Sequence, residues 1–281
     1  MLYYIICILH KCEIYIKIMK QGTHMSSKTN SKYTVPSIDK AIDIIRLLSL
    51  KPNLTFKQIV EELNLPLSTS FNIINTLQNR GFVEKNKLTS QYTLGLTLMR
   101  IGMQIYQNID IRKFAYPIMK ELVSKFGETS YLTGLDNSTF EGVVLDKIES
   151  LKTVTVVRSI GSKVPLYASA TGKSLLSGFT PEELEDYLCN VTFIKFTDKT
   201  IANREMLMKE LEKIRNMGYT ITEDEMGDGA SAVSAPIKDN QGNVVAAISI
   251  AGPMTRMENQ IPSMIPEVKI AAERISKLIW N

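Results

Sequence analysis

One stretch near the start of the chain, LPLSTSFNIINTLQNRGFV at 65–83, constrains the fold more than any other. It predicts a helix that begins at Pro66, where a first turn tolerates proline, and ends before Gly81. At 100° per residue, one side of this helix collects Leu67, Ser70, Ile73, Ile74 and Leu77. The other side carries Ser68, Asn72, Asn75, Thr76 and Asn79, with Thr69 and Phe71 on the flanks. A typical surface helix has Lys and Glu on its outer side, so these short uncharged groups need a special explanation.

Two helices are predicted before this one. Ser37 is the expected N-cap of IDKAIDIIRLLSL, and Thr55 is the expected N-cap of FKQIVEEL. The inward side of the first helix should contain Ile38, Ala41, Ile42, Ile45 and Leu48. Because the second and third helices are separated only by Asn64, Leu65 and Pro66, the pattern is typical of a helix-turn-helix.

The segment after Gly81, FVEKNKLTSQYTLG, predicts two short strands around a turn near Asn86, which form a wing. Short Ser, Thr and Asn side chains can approach base edges in a major groove, and lysines and arginines can contact phosphates. We therefore predict a DNA-binding surface; the alternative is a small helical domain that does not touch nucleic acid. The predicted DNA-binding residues are Ser68, Thr69, Phe71, Asn72, Asn75, Thr76, Asn79, Arg80, Lys85 and Lys87.

The charge distribution supports a polyanionic partner for the first module only. Residues 25–100 contain ten Lys or Arg against five Asp or Glu, whereas 101–281 contain twenty against twenty-three. The overall net charge of +4 therefore hides a basic module joined to an acidic one.

Histidines and cysteines argue against several classes of enzyme. Both histidines, His10 and His24, fall in the first 24 residues, which excludes His-based metal sites and Ser-His-Asp catalysis later in the chain. The cysteines, Cys7, Cys12 and Cys189, are too few for a disulfide framework. We expect a non-enzymatic protein of the reducing cytoplasm that needs no cofactor and no metal, and has no membrane partner.

The N-terminal residues 1–32 are expected to be a translated leader followed by a disordered arm, with Met25 as the true start. The apolar run Leu2–Leu9 is too short to span a bilayer. The winged helix-turn-helix domain is predicted at 33–95.

Residues 96–111 predict a linker helix with a repeating apolar stripe at Leu96, Met99, Met103, Tyr106 and Ile109. An exposed stripe of this kind would pair with its own copy, so we predict a dimer through this helix. The alternative is a helix that packs on its own C-terminal domain.

Residues 112–281 predict an antiparallel α+β domain. A helix to about Phe126 precedes strands at TSYLTGL, GVVLDKI and TVTVVRS; helices follow near 172–177, 181–188 and 204–217. A hairpin, SAVSAPIKD and NVVAAISIAG, then leads to a last helix at about 262–278.

Three features of this half suggest chemistry that we do not expect. ATGKS lacks the glycine that a P-loop needs, since Tyr167 stands at that position. The run Glu223-Asp224-Glu225 is interpreted as a solvated turn with at most one carboxylate facing inward, and Lys173 as structural. Small residues in ASATG, SAVSA and SIAG instead favour a cavity, where amides near Gly172 would attract an anion.

Several motifs together resemble the IclR family of bacterial transcription regulators. They include SIDKAIDIIRLLSL, LPLSTSFNIINTLQNRGFV, YTLGLTLMRIG, RSIGSKVPLYASATGKSLL and IRNMGYTITEDEMGDGASAVSAPIKDNQGNVVAAISIAGP. The resemblance implies a winged helix-turn-helix, a linker helix and a GAF-like effector-binding domain, assembled as dimers that often pair into tetramers. Where the family usually has a Lys and an Arg in the recognition helix, this chain has Leu67 and Asn72.

The resemblance also implies an effector pocket. Its positions correspond to Val164, Ala170, Thr171, Gly172, Thr222, Ala232, Ser249 and Ala251. Relatives that hold small keto acids can have Asp at the position of Thr222 and Cys at that of Ala232, so those polar contacts are missing here. We predict a ligand-responsive regulator that binds operator DNA and senses a small, anionic metabolite. The alternatives are a constitutive DNA-binding protein and an enzyme built on the α+β domain.

Overall fold

The computed structural model describes residues 35–156, 158–227 and 229–279, without the side chain of Asp110. The predicted leader and arm at 1–32 lie outside these residues. The described chain divides into two compact units, with the division between Ile105 and Tyr106. Within the described ranges, no helix is long and apolar enough to cross a membrane.

The first unit is a three-helix core with a small antiparallel sheet. Its elements are α1 (Pro36–Leu50), β1 (Leu54–Thr55), α2 (Phe56–Leu63), α3 (Leu67–Asn79), β2 (Val83–Lys85) and β3 (Gln91–Leu94). The strand order is β1-β3-β2, and both strand pairs are antiparallel. The core is formed by Ile44, Leu47, Leu48, Ile59, Ile73, Ile74, Val83 and Tyr92.

The predicted start of α2 is confirmed, and that of α1 is wrong. Thr55 accepts the Gln58 amide while the Gln58 side chain accepts the Thr55 amide, which completes a capping box. Helix α1 instead begins at Pro36, after an N-cap residue, Val35, that makes no side-chain hydrogen bond. Proline is suited to this first position, because its missing amide would have no partner in the first turn.

The buried side of α1 is rotated from the predicted one. Ile44, Leu47 and Leu48 are buried, whereas Ile38 and Ile42 are exposed. The apolar residues extend around too much of this helix for periodicity alone to select the inner side, and contacts with α2 and α3 decide it.

Helix α4 (Leu96–Gln107) follows the first unit's sheet and has no buried residue. Large apolar side chains are exposed along its length: Leu96, Met99, Ile101, Met103 and Ile105. Large exposed apolar surfaces of this kind are uncommon in monomeric proteins.

The second unit begins with α5 (Asp110–Phe126) and is built around a six-stranded sheet. Its further elements are β4 (Thr129–Asp136), β5 (Glu141–Ile148), β6 (Lys163–Pro165), α6 (Ala170–Leu176), α7 (Pro181–Asn190), α8 (Arg204–Met217), β7 (Thr220–Glu223), β8 (Ala230–Lys238), β9 (Val244–Pro253), α9 (Met254–Met257) and α10 (Ile261–Ile279). The strand order is β6-β5-β4-β9-β8-β7, and every described pair is antiparallel. The predicted α+β fold class is confirmed.

The sheet separates two hydrophobic cores. Helices α5 and α10 cover one face, where Leu132, Val233 and Ile248 pack against Met119 and Met264. The other core is formed by α6, α7 and α8, and it reaches the sheet at Ala247. Strands β8 and β9 are therefore buried on both faces for most of their length.

One predicted strand is wrong. The described residues of TVTVVRS, at 153–156 and 158–159, form no strand, and the edge strand next to β5 is Lys163–Pro165. Alternating Thr and Val residues favour a strand, but a strand also needs a neighbour with free backbone groups. At this edge of the sheet, β5 pairs with β6 instead.

A buried carboxylate, Glu128, joins the start of β4 to α9. Its side chain is fully buried and accepts two 2.7 Å hydrogen bonds from the Arg256 guanidinium and one of 2.8 Å from Lys152. Burial alone would raise the pKa of Glu128, but the hydrogen bonds and charges of Arg256 and Lys152 outweigh it and hold this pKa below its usual value.

We expect Arg256→Ala to lower the free energy of unfolding of the second unit by about 1–3 kcal/mol, because Glu128 would lose two of its donors while remaining buried. Amide hydrogen exchange of β4 and β9 measures this loss in the full chain. The difference from wild type should shrink as the pH falls through the lowered pKa of Glu128.

Arg274→Ala is the matched control. Arg274 also binds a glutamate, Glu121, with two hydrogen bonds, but both side chains are about half exposed. Its removal should cost less than about 1 kcal/mol. If both variants lost the same free energy of unfolding, the burial of Glu128 would not explain the loss in Arg256→Ala.

Candidate functional site

The surface formed by α3 and the β2–β3 hairpin is the first candidate site. Asn64 adopts a left-handed conformation, with φ of 48°, and ends α2 so that α3 can start three residues later. Ser70, Ile73 and Ile74 are buried beneath α3. The opposite side of α3 is therefore free to face a partner.

Most of the predicted DNA-binding residues are exposed on this surface. The exposed residues are Ser68, Phe71, Asn72, Thr76, Asn79, Arg80, Lys85 and Lys87, while Thr69 and Asn75 are half-buried. The Thr76 hydroxyl donates to the Asn72 carbonyl oxygen at 2.8 Å, so part of its hydrogen-bonding capacity is used within the helix.

Leu67 corrects the sequence interpretation. Its place on the helical wheel predicts an inward side chain, but 66% of the residue is exposed. Leu67 is the first residue of α3, where the helix extends beyond the core that covers its later turns. Pro66 is the N-cap residue of this helix and makes no side-chain hydrogen bond.

The wing is held in shape by its own turn. The Asn86 carboxamide oxygen accepts the amides of Leu88 and Thr89 at 2.9 and 3.2 Å. Lys85 lies with its ammonium 5.4 Å from the Tyr92 ring centre, and Lys87 is exposed next to the turn. Two cations therefore project from a rigid hairpin, which suits contacts with phosphates.

The second candidate site is a cavity of about 60 Å³ in the second unit. A water molecule needs roughly 10–15 Å³ on such a measure, so the cavity has room for a molecule of a few non-hydrogen atoms. Its walls come from all six strands of the sheet, the start of α6, and the segments before β6 and after β7.

The structure brings most of the predicted effector residues together around this cavity. They are Val164, Ala170, Thr171, Thr222, Ala232, Ser249 and Ala251. Thr222, Ala232 and Ala251 are neighbours across β7, β8 and β9, because their register places them opposite one another. The small residues of these strands leave the space that the cavity occupies.

Gly172 is not part of the cavity wall. Its amide donates to the Ser169 hydroxyl at 3.1 Å, so the expected free amide is already paired. A Cβ at this position would lie 2.5 Å from the Leu166 Cα, and this close approach explains the glycine. The Gly172 amide is therefore unavailable to a ligand, and attraction of an anion by the other amides near Gly172 stays a prediction.

A buried ion pair lies beside the cavity. The Lys173 ammonium, in α6, is 2.6 Å from the Glu225 carboxylate, and Lys173 is 1% exposed. Burial raises the pKa of Glu225, while the charge and hydrogen bond of Lys173 oppose this shift. Among the three consecutive acidic residues, Glu225 alone is buried, in agreement with the interpretation of a turn with one inward carboxylate.

Ala168, Ser169 and Ser231, which belong to the runs ASATG and SAVSA, also line the cavity. Its other lining residues could not be found from small-residue patterns: Tyr131, Thr133, Val144, Val156, Arg158, Glu225, Met226 and Ala230. They come from strands and loops that are distant in sequence, and only the sheet order brings them together. Within the described residues, no group of three or more His, Cys, Asp and Glu could hold a metal ion.

Comparisons with known proteins identify both domains. The IclR helix-turn-helix domain matches residues 37–87, and the bacterial transcriptional regulator IclR C-terminal domain matches residues 103–277. The chain is 32% identical to the HTH-type transcriptional regulator KipR of Bacillus subtilis over 244 residues, covering 86% of this chain and 96% of KipR. It is 30% identical to the HTH-type transcriptional repressor AllR of Salmonella typhi, covering 92% and 96%.

Solved structures show the same architecture. The IclR crystal structure from Thermotoga maritima has a TM-score of 0.68 and 32% identity, over 88% of this chain and 99% of that one. An IclR homolog from Microbacterium hydrocarbonoxydans, complexed with 4-hydroxybenzoate, has a TM-score of 0.73 at 21% identity, over 86% and 98%. With two matching domains and these relatives, the chain belongs to the IclR family of DNA-binding bacterial transcription regulators.

Proposed function

We propose that the protein binds operator DNA through α3 and the β2–β3 wing as a homodimer or a pair of dimers, and that a small carboxylate in the cavity controls this binding. The observation that carries the proposal is the outer side of α3, where uncharged hydrogen-bonding groups are exposed between the cations of the wing and Arg80. Amides at this position suit base edges, and the cations suit the backbone.

The proposed regulation follows from thermodynamic linkage. An effector that binds two dimer geometries with unequal affinity shifts the population toward one of them, and operator DNA must then change effector affinity by the same factor. An effector with equal affinity for both geometries would change nothing.

The cavity supports a small acid as the effector. Arg158 supplies a guanidinium to its wall, while the acidic Glu225 beside it is matched by Lys173. The Microbacterium homolog is complexed with a carboxylate, 4-hydroxybenzoate.

The dimer is proposed to form through α4, on the strength of its uncovered apolar side chains. Symmetric pairing of such a surface is the commonest form of association between identical chains. Two copies would then present their α3 helices to half-sites about one helical turn apart on the duplex, roughly 34–36 Å.

For the DNA surface, Asn72→Ala and Asn75→Ala should each weaken binding to the preferred operator by about 1–3 kcal/mol and leave random DNA unaffected, because a base contact is lost. Fluorescence anisotropy with a duplex from beside the protein's own gene measures both affinities.

The double variant Lys85→Ala and Lys87→Ala removes the proposed phosphate contacts of the wing and is compared with the two asparagine variants. It should weaken binding to all sequences alike. The slope of the logarithm of the binding constant against the logarithm of the salt concentration should fall in magnitude by about 0.9 for each lost phosphate contact. Unchanged operator affinity in both asparagine variants would remove the proposed base contacts.

For the dimer, the double variant Met99→Glu and Met103→Glu should shift sedimentation toward the monomer, because charges at a buried interface lose their solvation. Met208→Glu, at a partly exposed methionine of α8, is the control and should leave the assembly unchanged. Dimers that persist in the double variant would contradict association through α4.

For the effector, a panel of small carboxylates should contain at least one that raises the melting temperature in proportion to the logarithm of its concentration, as binding to the folded state requires. Ala232→Leu fills the cavity and should abolish this shift. Ala202→Leu changes a half-buried alanine outside the cavity wall and should retain it.

A flat response across the panel, with operator binding intact, would favour a constitutive DNA-binding protein. A shift that survives Ala232→Leu would place the effector elsewhere in the chain.

A further inference from the structure

An apolar patch lies on the recognition surface itself. Leu67 and Phe71 are 66% and 57% exposed, and their spacing of four residues places them side by side along α3. The Phe71 ring is held edge-on against Phe56 of α2, with 6.2 Å between the ring centres. The fold therefore positions the aromatic half of the patch.

The position of the patch on α3 indicates which kind of molecule would cover it. In helix-turn-helix proteins the first turns of the second helix contact base edges in the major groove. Leu67 and Phe71 occupy those turns, beside Ser68 and Asn72, which are also exposed. A surface that faces DNA in the bound state is covered there by the duplex.

The chemistry of α3 excludes the commonest readers of guanine. None of its thirteen residues, from Leu67 to Asn79, is charged. Arginine and lysine usually read guanine, asparagine pairs with adenine, and apolar side chains contact the 5-methyl group of thymine. Arg80 is at the far end of the helix, away from the first turns.

We propose that Leu67 and Phe71 read thymine methyl groups, so that the base pairs facing the first two turns of α3 are A·T, with the adenines available to Asn72 and Asn75. This inference rests on the proposed operator binding. It adds that the preference of each half-site comes from apolar contact as well as from hydrogen bonds.

The test begins with the full-length protein and a random duplex library. Repeated selection should enrich a half-site with adjacent A·T pairs at its centre. Each thymine of that site is then replaced by deoxyuridine, which keeps base pairing and removes only the 5-methyl group. At one or two positions, loss of the methyl contact should weaken binding about threefold to tenfold.

The protein variants assign the methyl contact to the patch. Each of the variants Leu67→Ser and Phe71→Ser removes one side chain of the patch. At the thymine that this side chain contacts in the wild type, deoxyuridine should then change the affinity of the variant less than twofold. Leu151→Ser, at a fully exposed apolar residue of the second unit, should keep the full effect. Because Leu67 is largely exposed, its variant should fold normally, and it decides the question if Phe71→Ser loses structure.

The outcomes separate this inference from the function on which it rests. A library without any enriched sequence would overturn operator binding itself. An enriched site with G·C pairs opposite the first turns, or a deoxyuridine effect that persists in both variants, would overturn only the methyl contact. The last result would assign the methyl contact to another residue.

Discussion

The ion pair between Lys173 and Glu225 is the contact on which the architecture of the second unit's cavity depends. It joins α6 to the segment after β7, across 52 residues of sequence, and it is almost completely buried. Removal of one partner would leave the other as a buried charge without its nearest counter-charge, at a cost of about 3–5 kcal/mol. Both elements line the cavity, so the pair fixes the distance between two of its walls. Lys173 is thus committed to the fold, and ligand recognition has to come from other residues.

The first unit shows how much of a fold local chemistry can determine. The Thr55 capping box and the proline before α3 are predictable because each depends on residues within four positions. The face of α1 and the exposure of Leu67 depend on which neighbours cover each turn. Apolar residues on several sides of a helix leave that choice to tertiary packing, and periodicity cannot make it.

The presence of the candidate cavity was predictable from the sequence, but its polar lining residues were not. Runs such as ASATG and SAVSA imply unfilled space wherever they meet a sheet. Arg158 and Glu225 give the space its polarity, but they lie outside those runs and reach it only through the sheet order. The absence of a strand at TVTVVRS has the same origin, because the neighbour of β5 is chosen by chain connectivity and not by β propensity.

The small residues of β8 and β9 that line the cavity affect how its ligand specificity could change during evolution. Under the proposed function, the selectivity of this cavity would be set by the volume that the side chains leave vacant, since Ala232 and Ala251 contribute little more than a methyl group each. A single substitution that adds one or two carbons at either position would change the shape of the cavity without disturbing the strand pairing around it. Such a change could give the proposed regulator a new effector in one mutational step and leave its first unit the same.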